Sequence, residues 1–254
     1  MARIENIEGL EAIVGKKPPA LDLKVVDHID PASQLWLSYA TVMLATLGGP
    51  QGPKMLAGGG AAGFAHGSGG TLRIPHQNLD DAQAIQPGSA FGSLWLVPGM
   101  KETLRINGTV SGVSADAVTV DVLECYLHCA KALLRSNFWQ AAPSPIVPSD
   151  PAAVARASCL MALGQLFEVE GKVPKLAIEV ITKDWSTKPS AALKNATLWP
   201  APPPPEALKP AKIFAEHMRL SKQKSLSARM AKAAVSVPGL VRRSLESDYE
   251  KNLY

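Results

Sequence analysis

Val97-Pro98-Gly99-Met100-Lys101-Glu102-Thr103-Leu104-Arg105-Ile106-Asn107-Gly108 decides how the chain is read. Pro98-Gly99 is a turn signal. From Glu102 onward Leu104 and Ile106 alternate with Thr103 and Arg105, the two-residue period of a strand with one face buried. Arg105 then projects from a sheet wall, toward a neighbour or an anion. Asn107-Gly108 is a hairpin signal that serves equally as a bulge.

Working outward, short strands are expected over 71–74, 93–97, 103–106 and 118–122, with Gly, Pro and Asn between them. Their spacing predicts an antiparallel barrel or sandwich. Upstream, 35–47 predicts a short helix running into a buried strand, and Gly48-Gly49-Pro50 a turn. The glycines at 58, 59, 60 and 63 predict a stretch without regular structure. Downstream, apolar residues at 127, 130, 134 and 138 recur at helical spacing, so 127–138 is expected to be a helix.

Two proline-rich stretches punctuate the chain. Residues 141–151 hold four prolines and residues 200–210 hold six. Proline lacks the N–H and fixes φ, so neither stretch propagates helix or central strand. The expected division is 1–140, a barrel with an N-terminal arm; 141–199, a linker with a helix over 151–166 and a hairpin around Gly171; and 200–254, a linker and a helical tail broken at Pro238-Gly239. From residue 209 to the end, ten Lys or Arg face four Asp or Glu, a balance of +6 within a chain of +4, so the preceding residues sum to −2. The tail is expected to be a separable attachment, packed against protein through Ile213, Phe214, Met218, Leu226, Met230 and Val235. An interaction role for this basic segment with an anionic partner is a further possibility.

The chain of 254 residues is 46% hydrophobic and 19% charged, enough to bury a core and ordinary for a globular protein. No run has the ~18 apolar residues of a spanning helix. Met1 to Lys17 has no basic head followed by an apolar core, so it does not resemble a signal peptide. Three cysteines in so long a chain give no disulfide framework. The expectation is a cytoplasmic protein with neither membrane nor nucleic acid as partner.

For chemistry, Cys125-Tyr126-Leu127-His128-Cys129-Ala130-Lys131-Ala132-Leu133-Leu134-Arg135-Ser136 is the richest stretch. As a helix it would place His128, Lys131 and Arg135 on one face, a site for a dianionic phosphate or simply a solvated basic face. Cys125, His128 and Cys129 lack an evident fourth ligand, so no metal is expected. Walker, HExxH and GxSxG patterns are absent. A Ser/His/Asp triad has no local support.

Leu96-Val97-Pro98-Gly99, Glu102 to Gly108, and His128-Cys129-Ala130-Lys131-Ala132 with Arg135-Ser136 and Trp139 stand in an order and spacing that resemble the PPOX-class FMN-binding proteins, relatives of pyridoxamine 5′-phosphate oxidase. Gly63-Phe64 and Thr71-Leu72-Arg73-Ile74-Pro75 fit the same pattern, and the resemblance covers residues 34–139. It implies a mainly β (α+β) split β-barrel with added helices, a homodimer with FMN at its interface, and a flavin-dependent oxidoreductase acting on a small molecule. It assigns Arg105, Lys131, Arg135 and Ser136 to the cofactor. The alternative is a non-catalytic split barrel that binds flavin, deazaflavin or haem, or one that has lost its cofactor. Two departures bear on this. Leu56-Ala57-Gly58-Gly59-Gly60 lacks the family's Arg, and His76-Gln77-Asn78-Leu79-Asp80-Asp81 is acidic where the family is basic. Each lost charge-assisted contact is worth roughly 1.5–3 kcal/mol, so weak FMN binding is expected.

Overall fold

The computed structural model describes residues 2–3, 5–14, 19–49, 52–135, 137–140, 162–169, 175–181, 192, 196, 200–237 and 239–251. Its elements in chain order are β1 (Ala2–Arg3), α1 (Ile7–Val14), α2 (Pro31–Tyr39), β2 (Val42–Gly48), β3 (Lys54–Gly59), β4 (His66–Ser68), β5 (Thr71–Pro75), β6 (Ala90–Leu96), β7 (Thr103–Val113), β8 (Ala117–His128), α3 (Lys131–Arg135), β9 (Ala162–Val169), β10 (Lys175–Ile181), α4 (Pro210–Leu220), α5 (Leu226–Val235) and α6 (Leu240–Lys251).

The chain forms two compact units. One comprises Met1–Leu21 and Ser144–Pro189, the other Asp22–Pro143 and Ser190–Tyr254. In the first, β9 pairs antiparallel with β10 and with β1. The hairpin around Gly171 was expected. A helix continuing to residue 166 was not found: Ala162–Val169 is strand, and 151–161 lies outside the described residues. β9 itself holds a single alanine, and it is paired on both edges, with β10 and with β1.

The second unit is α+β, built on one antiparallel sheet that does not close, in the order β3-β2-β6-β7-β8-β5-β4. Helix α2 starts as its sequence directs. Pro31 occupies the first turn, and the Asp30 side chain accepts from the N–H groups of Ser33 and Ala32, a cap worth about 1 kcal/mol. Its Trp36 is fully buried and donates to the carbonyl of Trp95. The inner sheet face carries Met43, Trp95, Leu104, Ile106, Cys125 and Leu127, all buried, in cross-strand register from β2 to β8. Asn107 and Gly108 lie inside β7, paired with Glu124 and Val122, so the dipeptide is not a hairpin turn; the residue skipped at this register shift is Leu123 of β8.

Two expectations for this unit are corrected. Residues 60–64 are irregular as expected, but Gly58 and Gly59, expected to be irregular with them, end strand β3. Glycine is needed there because a Cβ on Gly59 would lie 2.5 Å from the carbonyl oxygen of Ala192, the close backbone approach that strand glycines permit. The helix expected over 127–138 is only Lys131–Arg135, and Cys125 to His128 belong to β8. Cys125 and Leu127 face the core while Tyr126 and His128 are half-buried on the other face, a period of two set by pairing with β7.

The tail lies in the same compact unit as the sheet, a grouping that differs from a division at the second proline-rich stretch. Leu208 and Ile213 join the main core cluster. Gly99, at φ +78°, has no room for a Cβ, which would sit 2.3 Å from the carbonyl oxygen of Pro202. The proline segment is thus laid on the Pro98-Gly99 turn. Residues 210–235 form two helices, because Ser225 caps a second start by accepting from Ala228 N–H.

Candidate functional site

Opposite the core, the sheet's outer face carries a cross-strand row. Ala57, Leu44, Leu94, Arg105 and Tyr126 stand side by side on β3, β2, β6, β7 and β8. All five are half-buried. The row changes character along its length: three apolar side chains, then a guanidinium, then a phenol. Above the apolar end, Val42 and Leu96 pack with Ala196, and Phe138 and Trp139 lie against them.

The polar end is cationic. Arg105 Nε donates to Asn107 Oδ1 at 3.3 Å, and Asn107 Nδ2 donates to Glu124 Oε2 at 2.8 Å. His128 sits opposite Thr103, one row along from Arg105. Burial pushes the His128 imidazolium down in pKa, and the charges of Lys24 and Arg105 push it further. Lys24 Nζ donates to the Leu127 carbonyl at 3.0 Å and lies 5.3 Å from the centre of the Tyr126 ring, a cation–π contact. Burial lowers its pKa, partly opposed by Cys129. Thr103 Oγ1 is buried without a hydrogen-bond partner among the described residues.

Of the residues assigned from sequence, Arg105 is on this face. Lys131 is half-buried and opens α3, three positions beyond His128. The side chain of Arg135 and the whole of Ser136 lie outside the described residues. The helical face expected to align His128, Lys131 and Arg135 does not exist as such, because His128 ends a strand. Lys24 was not foreseen. It comes from the N-terminal arm, and nothing in its surroundings marks it.

A cavity of about 400 Å³ lies elsewhere, lined by His76, Gln77, Leu79, Asp81, Gln83 and Val113 among others. It touches neither Arg105 nor Lys131. The outer-face row is half-buried, with Leu44 and Leu94 packed against the Val42, Leu96 and Ala196 cluster, and its chemistry rather than a cavity distinguishes it.

The structure does assemble a Ser/His/Asp group. Ser33 Oγ and Asp30 Oδ1 lie 2.9 and 3.2 Å from His217 Nε2. Leu127 N–H donates to His217 Nδ1 at 3.3 Å, so the ring's proton sits at Nε2. A relay needs the acid on one ring nitrogen and the hydroxyl on the other. Here both share Nε2, and all three side chains are buried. Cys125 donates its thiol hydrogen to Ser33 Oγ, and burial pushes that thiol up to about 12. This is a structural network.

Among the described residues no group of three His, Cys, Asp or Glu side chains could hold a metal ion, and no helix is long and apolar enough to cross a membrane. No protein-family model matches the chain, and no curated protein matches it in sequence.

Proposed function

We propose that the outer sheet face binds FMN, that the chain is a split-barrel homodimer, and that it serves as a flavin-dependent oxidoreductase. The observation that carries this reading is the row Ala57, Leu44, Leu94, Arg105, Tyr126. FMN is an apolar tricycle joined to a dianion, and this row is apolar at one end and cationic at the other. Leu44 and Leu94 would take the ring system. Arg105, with Lys131, Arg135 and Ser136 as the motif residues beyond it, would hold the phosphate by charge-assisted bonds. The orphaned Thr103 hydroxyl offers one more donor. His128, pushed away from protonation, would contribute a neutral ring rather than another charge. The row's side chains are only half-buried, which suits a site completed by a second copy of the chain. Bound FMN supplies the redox chemistry, and the protein supplies orientation and charge.

A second reading, a split barrel that binds a flavin, deazaflavin or haem without catalysis, is favoured by the acidic Asp80-Asp81 where the resembled family carries cations. FMN titration followed by quenching of its fluorescence tests both, with a deazaflavin and haemin titrated in parallel. Saturable FMN binding is expected. No saturation at about millimolar FMN removes the cofactor, and saturation by haemin or deazaflavin alone selects the second reading.

A further inference from the structure

We propose that the surface of α5 and the segment leading into α6 adsorbs to anionic lipid headgroups. Helix α5 is docked by one face and bare on the other. Ala228, Ala231 and Val235 pack toward Phe214 and Met218 of α4 and toward Leu23. With about 3.6 residues per turn, these three share one side of the helix, and Leu226, Arg229, Met230 and Ala233 share the opposite side. Leu226 and Met230, expected from sequence to pack against protein, do not: they are 73% and 67% exposed, on the side of α5 away from its docked face. Single exposed leucines are ordinary. Two large apolar side chains one turn apart, opposite a docked face, are a second apolar face. The exposure continues at Val237, 53%, and Leu240, 42%.

Charge selects the partner. Residues 217–245 hold seven Lys or Arg and no Asp or Glu. Lys232 turns inward, donating to the carbonyls of Ser221 and Gln223. The other six, Arg219, Lys222, Lys224, Arg229, Arg242 and Arg243, are exposed, and of these Arg219, Lys222 and Arg242 also make surface ion pairs with Glu216, Asp27 and Glu246. Apolar side chains set among cations are the composition of a helix lying in the headgroup layer, where insertion and attraction to acidic lipid act together. A protein groove would wrap α5 from several sides, and α4 already takes one of them. A flat layer engages the single face that remains. The expectation of no membrane partner rested on the lack of a spanning run, and adsorption needs none.

The test uses the full chain and vesicles of phosphatidylcholine with about one-third phosphatidylserine, sedimented beside vesicles of phosphatidylcholine alone. Binding to the anionic vesicles is expected, roughly tenfold weaker on neutral vesicles and at about 0.5 M salt. The double variant Leu226→Glu/Met230→Glu should lose about tenfold in binding with its melting temperature unchanged, since both side chains are exposed. Arg242→Glu/Arg243→Glu should lose a similar factor. The proposal is overturned if anionic vesicles do not bind the protein, or if neither double variant weakens them. It is equally overturned if polyglutamate binds while vesicles do not, or if Leu226→Glu/Met230→Glu dissociates an oligomer, either of which assigns the face to protein.

Discussion

Ser33 Oγ lies 2.9 Å from Nε2 of His217, 184 residues further along the chain, and neither side chain is exposed. This contact fastens the tail to the start of α2. It also places a polar group from α4 against the inner face of β8, where Leu127 N–H finds its acceptor. A buried polar network of this kind stabilises only when every member is satisfied.

His217→Ala is therefore expected to destabilise the protein by about 2–4 kcal/mol, because it leaves Asp30, Ser33 and Leu127 N–H underpaired in the interior. Urea unfolding measures it. The exposed pair Lys222–Asp27, also between tail and N-terminal arm, is the control, and Lys222→Ala should change stability by less than about 0.5 kcal/mol.

Stability should fall as pH drops below that of an ordinary carboxylate. Burial pushes the Asp30 carboxyl up, but hydrogen bonds from His217 and Ser33 outweigh it and hold the group well below its reference value of 3.8. Below that pH the unfolded chain takes up a proton that the folded chain refuses. The contribution is thus complete above the unfolded value and lost as pH falls toward the folded one. Urea midpoints measured from neutral pH downward should decline in this window, and Asp30→Asn should flatten the decline.

Glu102 has the opposite sign. Burial pushes its carboxyl above the reference of 4.5, and Tyr249, which donates to Oε1 at 3.2 Å, opposes this only in part. The folded state keeps the proton longer than the unfolded one, so ionisation lowers stability as pH rises past the reference. Glu102→Gln retains a carbonyl acceptor for Tyr249. It should raise the melting temperature at neutral pH and leave it nearly unchanged near pH 4.5.

On the outer face, Arg105→Ala and Lys131→Ala should each weaken FMN binding by roughly ten- to a hundredfold, the worth of one charge-assisted contact. Lys131→Ala should leave stability within about 0.5 kcal/mol. A large loss of stability with unchanged FMN affinity would make α3 a structural element only.

The half-buried apolar end of the row favours a second copy as its cover. Sedimentation should give twice the chain mass of 26.9 kDa. A monomer at micromolar concentration counts against the homodimer and its interfacial site together.

Much of the sheet was legible because one-face burial imposes a period of two. The strands at 71–75 and 103–113 begin where Thr71 and Thr103 were expected to begin them. The end of β8 was not legible, because Leu127, Ala130 and Leu134 imitate a helical stripe while only the last two follow the strand. The glycines of β3 misled for a related reason, since their cause is Ala192, far along the chain. Arg105 could be placed from its own strand. Lys24 and His217 could not, because each is defined by a partner about a hundred residues or more away, and local pattern carries no information at that range.

The position of Leu208, Ile213 and His217 in the core also sets the order in which the molecule can be completed. Synthesis runs from the N-terminus, so the sheet emerges first with Asp30 lacking its His217 partner and an apolar gap where Leu208 and Ile213 belong. Such surface is what draws chaperones and proteases to unfinished chains. A chain that stops before residue 208 leaves that gap open, so the core of this unit closes only once α4 has been made.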